Sequence, residues 1–339
     1  MNKAMQINPK QLGKILVIMG GKTKEREISL MSGRAAYDSL KRQGCDVELL
    51  DWKDNDSLMK LCEMISLKKV DRVFIALHGV LGEDGCLQGL LECFGIPYTG
   101  SGVLSSSLCM DKVYAKAILR SYGMPVLNDI FLNNSTNNDT SISEIEAKLG
   151  YPICIKPVYE GSSVGVKRAN NKDELRAFIS ELLAEYDDIM IEPWIEGREI
   201  TVGFFNGEAL PVLEIRVPKK QDSSFYDYNA KYFSDETEYV FPDDLDENQK
   251  EIILEISRKT FEMLKGNDWG RVDLILDNRT NSVYILELNT IPGLTSHSLV
   301  PMGAKKRGFD FDSLVLGIAA NASSKNKENQ ANIGKIKVN

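Results

Sequence analysis

Apolar positions in the first third of the chain fall in short runs divided by longer mixed stretches. Lys14 to Met19, KILVIM, is too short for a buried helix and stops at Gly20-Gly21, so it reads as a buried strand. From about Ser29 to Gln43 apolar and polar residues alternate as on an amphipathic helix. Cys45 to Trp52 and Arg72 to Leu77, RVFIAL, supply further strands with a helix between them. Such alternation predicts a mostly parallel sheet with helices on its faces. The loop His78 to Gly85, HGVLGEDG, follows a strand, where parallel sheets hold their ligands, and leads into a short helix over Cys86 to Phe94.

Farther along, a helix is expected at Lys112 to Tyr122, then the strand-like VLNDIFL and a polar turn at Asn133 to Asp139. PICIKP, Pro152 to Pro157, is a strand ending in a lysine; EGSSVGV, Glu160 to Val166, is a turn; Lys172 to Glu185 is an amphipathic helix. A strand begins at Ile189 and breaks at Pro193-Trp194. The next stretch, REITVGFFNGEALPVLEIRV, alternates more strictly and contains Asn206-Gly207, a hairpin signal. Phe225 to Ser234 is irregular, Asn248 to Lys265 is a long helix, and strands at Arg271 to Leu276 and Ser282 to Leu288 are joined by a short turn. The pairing of this last region is expected to be mixed or antiparallel. After about Ala320 the chain turns polar, as a frayed tail does.

The 339 residues exceed the usual size of one domain, and 43% hydrophobic with 27% charged residues is an ordinary globular balance. A net charge of −8 disfavours broad attraction to nucleic acid or anionic membrane, so neither is expected as a partner. It leaves room for an anion held locally by lysines and backbone N–H groups. Six scattered cysteines without a CxxC pair suggest reduced thiols. No apolar leader or span is evident, so the cytoplasm is the expected compartment.

Glu287 and Asn289 are two apart on one predicted strand, and Arg271 and Asp273 repeat that spacing on the strand before it. If the strands pair, one face presents two carboxylates, an amide and a guanidinium. That set suits Mg²⁺ or Mn²⁺, with the arginine free to meet developing negative charge. A solvated hairpin face is the alternative that spacing leaves open. The Gly161, Ser162, Ser163 and Gly165 loop could wrap an anion, although it is no Walker A sequence. Lys156 and Lys112 are candidate phosphate cations, or surface lysines. With only His78 and His297, and no clustered His/Cys spacing, zinc is not expected.

Taken in order, GGKTKEREISLMSG, LHGVLGEDG, YTGSG with MDK, IKPVYEGSSVGV, FYDYNAKY, GRVDLIL and ELNTIPGLTSHSLVPM closely resemble the D-alanine–D-alanine ligase family of the ATP-grasp superfamily. The resemblance spans about residues 14 to 303. It implies a fold of α/β and α+β character: a three-domain ATP-grasp fold with a parallel-sheet N-terminal domain. The divisions expected are 1–112, a substrate-binding α/β domain; 113–195, a central domain; 196–325, a catalytic C-terminal domain; and 326–339, a polar tail. The reaction it implies phosphorylates one D-alanine with ATP and lets the amine of a second attack the acyl phosphate. The products are D-alanyl-D-alanine, for peptidoglycan precursors, ADP and phosphate.

By motif, the resemblance implies that Glu27 holds the first D-alanine ammonium with support from His78. Ser162 and Tyr232 orient the site through a network that includes Glu27. Lys112, Lys156 and Ser163 would bind phosphate, joined by Lys231. Arg271 would stabilise the tetrahedral intermediate. Asp273, Glu287 and Asn289 would hold metal, two ions of Mg²⁺ or Mn²⁺. Ser298 and Gly293 would receive the second D-alanine. Glu192, Trp194, Ile195 and Glu199 fall in the segment for adenine and ribose. Pro193 stands where some relatives have lysine, so a lysine side-chain role there is lost, while the carbonyl of 193 and the N–H of Ile195 could still read adenine. Tyr232 favours a dipeptide over the depsipeptide made by relatives with phenylalanine. A homodimer is the expected assembly. The competing classes are another ATP-grasp ligase, a dinucleotide oxidoreductase, disfavoured because GxGxxG is absent, and a regulatory nucleotide binder without turnover.

Overall fold

The computed structural model describes residues 7–134, 141–217 and 237–323. The first part runs β1 (Lys14–Gly20), α1 (Arg26–Arg42), β2 (Asp46–Trp52), α2 (Asn55–Ser66), β3 (Arg72–Ile75), α3 (Cys86–Phe94) and α4 (Val103–Met110). Its strands form a parallel sheet ordered β2-β1-β3, as the strand-helix alternation predicts. β1 is central, and Ile15, Val17 and Ile18 are fully buried, which is why its sequence is uniformly apolar rather than alternating. α4 has no counterpart in the sequence reading; its serine-rich LSSSLCM carries little amphipathic signal.

Next come α5 (Lys112–Ser121), β4 (Ile130–Asn133), α6 (Ile142–Leu149), β5 (Ile153–Pro157), β6 (Lys167–Ala169), α7 (Lys172–Glu185) and β7 (Asp188–Pro193). The four strands form an antiparallel sheet ordered β4-β7-β5-β6. Pro193 is the last strand residue rather than a break before it. The third group is β8 (Gly197–Phe205), β9 (Glu208–Ala209), β10 (Leu213–Arg216), β11 (Glu238–Val240), α8 (Glu247–Met263), β12 (Gly270–Asp277), β13 (Val283–Asn289), α9 (Leu299–Lys306) and α10 (Phe311–Ala320). Its sheet is antiparallel with path β11-β10-β8-β12-β13, and Asn206-Gly207 turns β8 back onto β9.

Three apolar cores lie under these sheets. The first joins early and late segments: Leu314, Val315 and Ile318 of α10 pack with Ile15 to Ile18 and Val73 to Leu77. Arg72 adds a hydrogen bond from Nη1 to the Ala319 carbonyl at 2.9 Å. In the second core, Ala115 and Leu119 of α5 join the β8/β12/β13 sheet and α8, where Phe204 stacks on Phe261 at 4.1 Å. The third fills the space between the four-stranded sheet and helices α6 and α7. All six cysteines are free thiols. Among the described residues no helix is long and apolar enough to cross a membrane.

Candidate active site

Two loops leave the carboxyl edge of the parallel sheet. The one after β1 carries Glu25; the one after β3 carries His78 and Glu83. Arg26 braces the first by donating from Nη1 to the carbonyls of Gly21 (3.1 Å) and Trp52 (3.2 Å) and from Nη2 to Asp51 (2.9 Å). α1 begins at Arg26, so Glu27 lies in its first turn, exposed, where a carboxylate complements the helix dipole. The carboxylate that meets the serine loop is Glu25: its Oε1 accepts from Ser162 Oγ at 2.7 Å. This corrects the expectation that Glu27 takes part in that network. The two-residue offset decides it, because a helix turns i and i+2 to different sides, and only Glu25, at the N-cap, reaches the cleft.

The serine loop follows β5. Ser162 and Ser163 both adopt left-handed backbone, with φ of 52° and 59°. That conformation is uncommon for residues with a Cβ and recurs where the surroundings impose it, often at functional sites. Lys112 opens α5 because Asp111 caps the helix, accepting from the N–H groups of Val113 and Tyr114, each at 3.0 Å. Its Nζ donates to the carbonyls of Val158 (3.2 Å) and Glu160 (2.6 Å) and lies 3.5 Å from Glu287.

The third wall is the sheet face anticipated from the sequence. Arg271 pairs with Asn289 and Asp273 with Glu287 across β12/β13, with a bulge at Leu286. On the other side Asp273 pairs with Thr201 of β8, whose hydroxyl donates to Asp273 Oδ1 at 2.7 Å. Arg271 grips the same carboxylate from Nε (2.8 Å) and Nη2 (2.7 Å). β12 and β13 do not present the solvated hairpin face that spacing left open: Asp273 is buried, and Arg271 and Glu287 line a cavity.

That cavity, about 510 Å³, is lined by Glu25, His78, Glu83, Ser162, Glu199, Arg271, Asp273, Glu287, Asn289, Gly293 and Ser298. A neighbouring space of about 90 Å³ adds Lys112, Lys156 and Ser163. Ser298 Oγ accepts from the N–H of Thr295 at 3.0 Å, and Ser32 of α1 accepts from the N–H of Leu294 at 3.0 Å, so α1 holds the loop after β13 in place. Glu192, Trp194 and Ile195 line neither space: Glu192 is buried between Lys116 and Lys156, and Trp194 carries the Arg168 guanidinium 5.3 Å from its ring. Lys231 and Tyr232 lie outside the described residues.

Burial disfavours charge on His78, but a hydrogen bond and the negative charge of Glu83, together with Glu25, outweigh it and raise the imidazole above its ordinary value. Burial would likewise neutralise Glu192, yet the attraction of Lys116 and Lys156 prevails and holds it down at about 2. Two site residues escaped the sequence reading besides Glu25. Glu83 lies five places after His78 in a loop already singled out, and Lys116 lies one helical turn after Lys112, a spacing that puts both on one face.

Asp273, Glu287 and Asn289 offer hard oxygen donors to one wall, which fits Mg²⁺ or Mn²⁺. Among the described residues no group of three or more Asp, Glu, His or Cys side chains could hold a metal by itself, so such an ion would need the amide and outside oxygens as well.

The chain matches the family model described as D-ala D-ala ligase N-terminus over residues 52–101 and the one described as D-ala D-ala ligase C-terminus over 118–319. It is 41% identical over 317 residues to the D-alanine–D-alanine ligase of Ectopseudomonas mendocina (strain ymp), covering 93% of this chain and 96% of that one. The crystal structure of D-alanine–D-alanine ligase from Bacillus anthracis superposes with a TM-score of 0.80 at 35% identity, covering 94% of this chain and 99% of that one. The Bacillus anthracis structure complexed with ATP gives 0.78 at 30% identity, with the same coverage. With both family models matched in order and relatives aligned nearly end to end, this chain belongs to the D-alanine–D-alanine ligase family.

Proposed function

We propose that this chain joins two D-alanine molecules with ATP, through a D-alanyl phosphate, at the cleft described above. The observation that carries the reading is the meeting of three walls at one cavity: Glu25 bonded to Ser162, the Lys112/Lys156 side, and the Arg271/Asp273/Glu287/Asn289 face. In the first step a carboxylate oxygen of one D-alanine attacks the γ-phosphorus and ADP leaves. In the second the amine of the other D-alanine attacks the acyl carbon and phosphate departs.

Glu25 holds the first ammonium, with His78 and Glu83 behind it. Lys112, Lys156 and Ser163 hold phosphate oxygens, with Lys231 as a further cation. Arg271 faces the oxyanion of the tetrahedral intermediate, and Ser298 with the Gly293 backbone receives the second substrate. The segment of Glu192, Trp194 and Ile195, with Glu199, takes adenine and ribose, that segment through its backbone since the Glu192 carboxylate is held by Lys116 and Lys156. Asp273, Glu287 and Asn289 would hold two divalent ions, which supply charge neutralisation at the phosphates. No nucleophilic side chain is needed, because ATP activates the carboxylate and the protein aligns reactants. Tyr232 excludes water with Ser162 and favours an amine over a hydroxyl acceptor.

The three sheets support a division into three units at about residues 112 and 195. A homodimer in the cytoplasm completes the reading. The deciding experiment is phosphate release by the purified chain with ATP, Mg²⁺ and a panel of D- and L-amino acids, with the product weighed by mass spectrometry. Stimulation by D-alanine with dipeptide formation is expected; no response to D-alanine would overturn the assignment.

A further inference from the structure

Lys116 lies in α5 with its side chain 1% exposed, and its Nζ donates to Glu192 Oε2. Lys156 donates to the other oxygen, Oε1, while its own side chain, 12% exposed, borders the cavity with Ser162, Ser163 and Glu199. One buried carboxylate thus has two cations of different freedom. Lys156 lines the cavity, whereas Lys116 does not.

We propose that Lys116 is a positioning residue for nucleotide binding: the fixed counter-ion of Glu192, which lets Lys156 leave that carboxylate for a nucleotide phosphate. A carboxylate stripped of its partner in a dry interior is strongly destabilised, whereas one that keeps a partner is not. With Lys116 in place, departure of Lys156 leaves a neutral buried pair. Without it, Lys156 is the remaining cation on Glu192, and drawing it onto phosphate strands a buried charge. Together with Lys156, the same lysine keeps Glu192 ionised against burial. Burial and the nearby charge of Lys156 push the Lys116 ammonium below its ordinary value against the attraction of Glu192 and, more weakly, Asp129, so departure of Lys156 also relieves a repulsion on Lys116.

This inference rests on the reading that Lys156 engages ATP. The test is a mutant cycle on the full chain, with ATP affinity measured by calorimetry and KM and kcat by phosphate release. Lys156→Met examines the underlying reading: it should weaken ATP binding, and unchanged affinity would sink both the reading and the inference. Lys116→Met should weaken ATP by on the order of tenfold or more, with KM for D-alanine within about twofold of the parent. Adding Glu192→Gln to Lys116→Met removes the stranded charge, so this double variant should bind ATP as Glu192→Gln alone does.

A folded Lys116→Met protein with parental ATP affinity overturns the proposal while leaving the Lys156 reading intact. If Lys116→Met does not fold, the double variant decides. ATP binding much weaker than that of Glu192→Gln, or failure of the double variant to fold where Glu192→Gln alone folds, means that Lys116 acts by some route other than Glu192 and overturns the proposal.

Discussion

Ser162 holds a left-handed backbone conformation that glycine would adopt with less strain, and its hydroxyl is spent on Glu25. The pairing makes the two nearby glutamates an internal control. Glu25→Gln should lower D-alanine-stimulated phosphate release by on the order of 100-fold, since an uncharged amide cannot match an ammonium in a desolvated cleft. Glu27→Gln should leave it within about twofold, as expected of an exposed helix-start carboxylate. A reversed ranking in the same assay would restore Glu27 to the site. His78 invites a titration. Its folded value is raised by Glu83, so its stabilising contribution is complete below the ordinary 6.5 and is lost as pH rises through the higher folded value. NMR of the imidazole in the ligand-free protein should give a midpoint above 6.5, and Glu83→Gln should lower it. A midpoint at or below 6.5 in the parent would refute the coupling.

At the scale of elements, three junctions set the site: α1 on β1, the capped start of α5, and the β8/β12/β13 face. The first is tightly packed. A Cβ on Gly33 of α1 would stand 2.5 Å from Met19 Cβ of β1, closer than real contacts allow. Gly33→Ala should therefore cost about 1–3 kcal/mol by overpacking. The same helix carries Ser32, which holds the loop after β13, so KM for D-alanine should rise with the loss in stability. Thermal unfolding and steady-state kinetics together check this; an unaltered melting temperature would mean that the helix slides without penalty. The β12/β13 pairing was open to inference because period-two spacing puts Arg271 with Asp273, and Glu287 with Asn289, on single faces. The bulge at Leu286 and the contribution of Thr201 from β8 were not, since both depend on which strands become neighbours.

Over the whole molecule, the last described helix returns to the first sheet. α10 closes the core beneath the parallel sheet, and Tyr98 exchanges backbone hydrogen bonds with Ser323 at 3.3 and 3.2 Å. A fragment of residues 1–112 would expose the apolar surface that Leu314, Val315 and Ile318 cover. That fragment should lack a cooperative thermal transition and dispersed amide resonances, whereas a well-folded fragment would show that α10 is dispensable. Between the loop after β1 and the end of α7, Lys24 Nζ reaches Glu185 (3.0 Å) and Tyr186 (3.1 Å) beside the Glu25–Ser162 contact. Exposed pairs of this kind add little stability, so the buried junctions carry the arrangement.

Local pattern determined most elements and the chemical types at the site. Short apolar runs bounded by turn residues read as buried strands, longer periodic stretches as helices, and two-residue spacing delivers polar groups to one face. The family followed from long motifs in fixed order. Tertiary structure alone decided which of Glu25 and Glu27 enters the cleft, that Glu83 stands behind His78, and that Lys116 shares Glu192 with Lys156. The reason is geometric: sequence spacing specifies a face of one element, but side chains meet, lose water and acquire shifted charge only when faces of distant elements are brought together.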